Sequence, residues 1–542
     1  MLQERTTRPD VRLAELVASL SLATDLGLGQ PEEHVLRQTV IATRLAAAAG
    51  LGEDERAAAF YVSLLAWVGC IADSHELAGW FGDDRQLRAD SYSVDKVGLP
   101  MMRFLVGHVG SGGPPLRRLT MVGRFLAGGF RDAMDSFVAH CQTTGDIADR
   151  LGLPLDVRRA LPQAFERWDG KGVPGGLSGT QIERVMRVVQ VADDAEVFCR
   201  VGGPQVAVAM LLERSGTEFD PELVDVCVGR TSEIFGDLDT VDAWGIVIDG
   251  CAPLDRRVDE AALADVLAIF ADYADLKSPW LLGHSRAVSE RAGLAARQTG
   301  LSAQAVTAIE GAGLVFRLGG IGVSTGVWDK PGPLSPAERE RVRTVPYLTE
   351  RVLSRQPRLA EIGVLAGMCH ERMDGSGYPR GLAGAAIPVS ARLLAAADVY
   401  QALGEARPYR DALPPDRRAA HLHAEVAAGR LDADAVRDVL AAAGHQVGRR
   451  PHLVAGLTAR EAEVLELLVR GCSYKQIAAR LSVTPRTVGS HVEHIYAKIG
   501  VSTRGAASMF AMRHGLVDAS TPAPPAVDGP GNGPAQGQTS GH

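Results

Sequence analysis

This chain lacks an uncharged run of membrane-spanning length. The longest uncharged run, AAAFYVSLLAWVGCIA at 57–72, falls short of the ~20 residues a spanning helix needs and reads as a buried core helix. The opening MLQERTTRPD lacks a signal-peptide core. Seven cysteines in 542 residues show no paired spacing. They read as reduced, mostly buried thiols of a cytoplasmic protein, not as a disulfide scaffold. Strand-like alternation is scarce, and the Ala-, Leu- and Val-rich body argues for an all-α fold. No membrane association and no cofactor are expected.

The net charge of −8 argues against a general nucleic-acid binder, but it is unevenly spread. Residues 452–517 hold eight Lys/Arg against four Asp/Glu, and 518–542 add two acids, which leaves −10 on residues 1–451. A basic end on an acidic body fits a DNA-binding module attached to a regulatory part. The length allows three or four domains. GHQVGRRPHLVAG at 444–456 reads as a linker, with its core at 445–456, and the Pro/Gly-rich 518–542 as a disordered tail.

The basic segment LTAREAEVLELLVRGCSYKQIAARLSVTPRTVGSHVEHIYAKIGVSTR at 457–504 carries helix punctuation. Thr458 with Glu461 and Ser473 with Gln476 form capping boxes, Thr484-Pro485 marks a third start, and Gly471 and Gly500 sit at helix ends. Val488, Val492, Ile495, Tyr496 and Ile499 make one apolar face. Thr487, Ser490, His491, His494 and Lys498 line the other, which suits a helix in a major groove. The segment resembles the LuxR-type helix-turn-helix. The resemblance implies a four-helix domain over 457–517, with a reading helix near 485–499 and a dimerisation-prone fourth helix near 503–514. The expected DNA-contacting residues are Lys475, Thr484, Arg486, Thr487, Ser490, His491, His494, Lys498 and Arg504. Gly489 stands where many members carry a basic residue.

The acidic body repeats itself. ERWDGKGVPGGLSGTQI from Glu166 and ERMDGSGYPRGLAGAAI from Glu371 are 205 positions apart, as are Asp193 and Asp398. Upstream, His34 parallels His284 and Ala66 parallels Phe316 at an offset of 250. Four landmarks in order point to a duplication, with copies at 11–240 and 256–444 and an insertion in the first at about 75–139. HERMDGSGYPRGL at 370–382 and DVYQALGEARPYR resemble the HD-GYP family, helical metal-dependent phosphohydrolases that cleave cyclic di-GMP. That family holds its metals with an early His, a His-Asp pair, a later His, a double His and a final Asp.

By that resemblance the second copy keeps His284, His370 and Asp398. Its His-Asp pair is Phe316-Arg317, its later His is Val345, and the first of its double His is Cys369. The first copy keeps His34, His140 and Asp193, while Ala66-Trp67 and Ala164-Phe165 replace its pairs and Val173 replaces the Tyr of GYP. Arg317 puts a permanent cation where a metal-binding carboxylate belongs. It is expected to pair with Asp398 and Glu371, or to receive an anion. The reading is a DNA-binding transcriptional regulator, and the LuxR-type resemblance implies a homodimer on double-stranded DNA. Its body is catalytically inactive and serves as a sensor, dimerisation or partner-binding module with a nucleotide or protein ligand. The alternative is an active cyclic-di-GMP phosphodiesterase that draws ligands from Asp73, His75 and Glu76.

Overall fold

The computed structural model describes residues 11–110, 115–250, 256–446, 457–481 and 483–513. The expected tail 518–542, the linker residues 447–456 and the end of the helix-turn-helix segment lie outside them. The described residues are helical almost throughout. Their only strands are Val11–Arg12 and Arg257–Val258, which pair antiparallel with Val11 opposite Val258. The chain divides into two compact units, Met1–His445 and Gln446–His542.

The first unit builds two comparable halves. Helix Leu13–Leu28 follows the first strand and helix Glu260–Asp275 follows the second. Leu13–Leu28 is buried on nearly every side, because it packs on its own half and on the turn Leu318–Gly322 of the other. Thr24 and Tyr273 join the two opening helices through hydroxyls 3.0 Å apart. At the helix ends, Asp25 accepts the Val35 N–H (3.0 Å) and Asp275 accepts the Ser285 N–H (2.8 Å). Each carboxylate thereby caps the following helix, His34–Ala48 or His284–Thr299.

Close backbone approaches recur at the offsets read from the sequence. A Cβ on Gly69 would lie 2.2 Å from the His140 carbonyl, and one on Gly319 would lie 2.3 Å from the Val345 carbonyl. Gly172 and Gly377 press on Glu166 and Glu371 in the same way, at 2.5 Å from each Cα. Both following loops contain a cis proline, Val173–Pro174 and Tyr378–Pro379.

The extra segment of the first half is itself helical: Asp84–Ser91, Gly98–His108 and Pro115–Arg124. Phe81, Leu87, Val109 and Phe125 form a small core beneath it. Asp84 carries it into the second half. Its side chain lies 2.5 Å from Lys277 Nζ and accepts the Thr325 N–H at 2.9 Å.

In the second unit the capping boxes close as written. Thr458 accepts the Glu461 N–H (3.2 Å) while Glu461 accepts the Thr458 N–H (2.7 Å), and Gln476 accepts the Ser473 N–H (2.8 Å). Helices Ala459–Val469, Tyr474–Leu481, Pro485–Ile499 and Arg504–Arg513 enclose Val464, Leu468, Ile477, Val488, Val492 and Ile495. Gly500 ends the third helix at φ 67°. A Cβ at Gly489 would meet nothing within 4 Å, so its lack of a side chain answers to no packing demand.

Candidate functional site

In the second half the retained residues converge. Asp398, on helix Val389–Leu403, lies 3.1 Å from His284 Nε2 and 3.8 Å from His370 Nδ1. Glu405 holds the other nitrogen of His284 at 2.8 Å. Cys369, His370 and Asp398 are the one cluster of His, Cys and carboxylate groups with metal-like spacing among the described residues. Their protonation states are set by burial and charge. Burial pushes His370 down to about 4 and keeps it neutral, and it raises the Cys369 thiol well above its ordinary range. Burial works against the Asp398 carboxylate too, but the hydrogen bond from His284 and the charges of His284 and Arg317 keep the group ionised.

Phe316 is buried between His284 and His370, with ring centres 5.8 and 6.4 Å away. Arg317 lies 4.9 Å over the Trp328 ring, with Nε 4.0 Å from Asp275. This corrects the expected pairing. Asp398 is taken by His284 and His370. Glu371 accepts the Arg380 and Leu382 N–H groups, both at 2.8 Å, and so shapes the GYP loop. Glu166 does the same in the first half with Gly175 (2.6 Å) and Leu177 (2.8 Å). Arg317 Nε is buried without a hydrogen-bond partner.

The first half brings together a different set. His34 sits between Glu196 (2.5 Å) and Asp193 (3.3 Å). His140 is turned away, with Nε2 donating to the Ala66 carbonyl at 2.9 Å and its ring 4.7 Å from Phe165. Trp67 packs on the same aromatic group and donates to Gln38 at 3.1 Å. The inserted helices close this pocket. Tyr92 donates to Asp193 at 3.2 Å, and Lys96 lies 3.1 Å from Asp194, whose other oxygen faces Arg214 at 3.1 Å. Arg88 binds Asp73 at 2.5 Å. Sequence reasoning missed Tyr92, Lys96, Arg88 and Glu196, which belong to no motif, and Glu405, which lies within DVYQALGEARPYR but was not singled out. It also missed Asp25 and Asp275, which the 250-residue offset does relate.

Asp73, His75 and Glu76 do not assemble. Asp73 is buried against Arg88, His75 is exposed and pairs with Asp329 at 2.6 Å, and Glu76 is exposed.

Burial opposes charge on His34, but Glu196 and Asp193 prevail and hold it up at about 10. The unfolded chain releases that proton near 6.5. The stabilisation is therefore complete below pH 6.5 and is lost as pH rises through 10. Between pH 7 and 9 this one group should lower stability by up to about 1.4 kcal/mol per pH unit. Denaturant midpoints at the two pH values check this, and His34→Gln should flatten the slope.

In the second unit, Lys475, Thr484, Arg486, Thr487, Ser490 and His494 are exposed and His491 is half-buried. Two of the expected contacts also have partners within the domain. Lys498 Nζ lies 2.6 Å from Glu461, which ties the third helix to the first. Arg504 donates to the Leu468 carbonyl and to that of Cys472 at 3.3 Å, capping the end of the first helix. Both cations serve the domain's own packing.

Over 409 residues, 75% of this chain and 89% of the relative's length, the sequence is 30% identical to the 3'3'-cGAMP-specific phosphodiesterase 3 of Vibrio cholerae serotype O1. The chain belongs to the HD-GYP phosphodiesterase family. The HD-domain profile matches residues 268–435 of this HD-GYP protein, and the luxR family of bacterial regulatory proteins matches 455–511. The crystal structure of the V. cholerae cyclic GMP-AMP-specific phosphodiesterase V-cGAP3 covers 81% of this chain and 99% of its own, with a TM-score of 0.55 at 26% identity. The probable transcriptional regulatory protein NarL of Mycobacterium tuberculosis is 42% identical over 100 residues, 17% of this chain and 46% of NarL.

The HD-GYP family implies divalent metals, and the residues of neither half fit them. In the second half the donors are a neutral thiol, a neutral imidazole and a carboxylate already bound by His284, with the charge of Arg317 acting on all three. Two unit charges about 4 Å apart interact by about 4 kcal/mol at an effective dielectric near 20, and a dication doubles the repulsion. In the first half, Lys96 and Arg214 compensate the acids, and Trp67 is packed against His140 and Phe165.

Proposed function

We propose that this HD-GYP protein is a DNA-binding transcriptional regulator whose body has lost phosphodiesterase catalysis and works as a sensor or partner-binding module. The observation that carries the reading is Arg317, a fixed cation stacked on Trp328, next in the chain to the Phe316 that lies between His284 and His370, with its charge acting on Cys369, His370 and Asp398. The body is read as a duplication, 11–240 and 256–444, and the chain as a homodimer on DNA. Its ligand would be an anionic nucleotide received at Arg317, bound without hydrolysis. The specificity of the V. cholerae relative makes 3'3'-cGAMP the first nucleotide to try, and Arg317→Ala should abolish its binding.

Lys475, Thr484, Arg486, Thr487, Ser490, His491 and His494 are read as the DNA-facing set, with Lys498 and Arg504 as supports. Selection of bound sequences from random duplexes, with and without the nucleotide, tests the regulator reading. Binding to the selected duplex should weaken steeply with salt. Arg486→Ala, which removes one phosphate contact, should reduce the salt slope by about 1. Absence of any preferred duplex would refute the reading.

A further inference from the structure

The inserted helices of the first half present a surface that neither pocket uses. Leu116, Leu119 and Leu126 are 82%, 72% and 60% exposed. Leu116 and Leu119 lie one turn apart on Pro115–Arg124, and Leu126 lies on the π-helical turn Phe125–Gly129 that follows it. Leu99, on the neighbouring helix Gly98–His108, is 77% exposed. These leucines are not left over from a failed core. The insertion has its own, with Phe104, Leu105, Met121 and Val122 packed inward around Phe125. Monomeric proteins expose single leucines freely, but a run of them on one element marks a contact surface.

Charge decides what covers it. From Lys96 to Arg131 the sequence has no Asp or Glu, although the chain has 65. Arg103, Arg118 and Arg124 are exposed within that stretch. A second copy laid on this face would bring six guanidinium groups together with no carboxylate supplied by either stretch. The occupant must instead be apolar and anionic at once. A bilayer of acidic lipids is both, and it needs no shape match: leucines enter the acyl boundary while arginines meet phosphates.

We infer that helices Gly98–His108 and Pro115–Arg124 are a docking surface for an anionic lipid bilayer. The protein lies on that surface and does not span it. The described helix with spanning length and apolarity, Ala303–Gly322, is 61% buried within the protein. The contact replaces the expectation of no membrane association. It is independent of catalysis and of DNA recognition.

The full chain should co-sediment with phosphatidylglycerol-rich vesicles at low salt and not with pure phosphatidylcholine vesicles. The pair Leu119→Glu and Leu126→Glu should weaken that association at least tenfold, with thermal melting and duplex binding unchanged. Arg103→Gln, Arg118→Gln and Arg124→Gln together should weaken it and remove most of its salt dependence. No association with the acidic vesicles would overturn the inference. So would association that the leucine pair leaves unchanged, or conversion of a dimer to monomers by that pair without loss of vesicle binding, which would assign the face to a second copy.

Discussion

Asp84→Ala should destabilise the body by about 3–5 kcal/mol, the usual cost of leaving one partner of a buried ion pair alone. Asp84 and Lys277 are 0% and 1% exposed, and the two are not equally served. Asp84 also meets Arg88 at 3.0 Å, the Thr325 N–H at 2.9 Å and Ser324 Oγ at 3.3 Å. Together these hold its pKa far below the ordinary carboxylate range against burial. Lys277 has Asp84 as its counter-charge, while Arg88 and Arg85 push against it, and burial lowers its pKa. Removing the acid therefore leaves an uncompensated ammonium. Lys277→Met leaves Asp84 with Arg88 and its two donors, so its loss should be distinctly smaller. The double variant Asp84→Ala/Lys277→Met should recover much of the stability that Asp84→Ala loses. Chemical unfolding of the four proteins reads the difference. Equal losses for the two single variants would mean that Arg88 does not compensate Asp84.

The combined change Phe316→His and Arg317→Asp should create divalent-ion binding in the second half, raising Mn²⁺ affinity at least 100-fold over the parent chain. That factor corresponds to roughly 2.8 kcal/mol. It is modest beside the several kcal/mol that one charge contributes at about 4 Å and an effective dielectric near 20. The change exchanges a cation for an anion beside His284, His370 and Asp398, which are already in register. Titration calorimetry with circular dichroism as a folding control measures it. A folded variant that still ignores Mn²⁺ would show that Val345 and Cys369, and not the charge of Arg317, keep the ion out.

Much of this arrangement was legible in the residues because it is local. The capping pairs Thr458–Glu461 and Ser473–Gln476 and the apolar spacing of Val488, Val492 and Ile495 fix helices that the structure places at the same positions. The offsets of 250 and 205 residues also relate the close approaches at Gly69 and Gly319, and at Gly172 and Gly377. What was not legible lies in contacts between distant residues of the chain. Asp84 and Lys277 are 193 positions apart, and no periodicity relates them. Lys498 looked like a DNA contact because its helical position is on the polar face. A four-carbon stem lets its ammonium reach back 37 positions to Glu461. Arg317 was assigned the nearest family carboxylate, but Asp398 was already satisfied, and an aromatic face offered the guanidinium a better seat.

The direct test of a silenced metal centre is a count of ions and turnover on one sample. The full chain, reconstituted with excess Mn²⁺ or Fe²⁺ and freed of loose metal, should retain well under one ion per chain and leave 3'3'-cGAMP and cyclic di-GMP intact, while binding its selected duplex. Two tightly held ions per chain with steady hydrolysis of either dinucleotide would contradict the account.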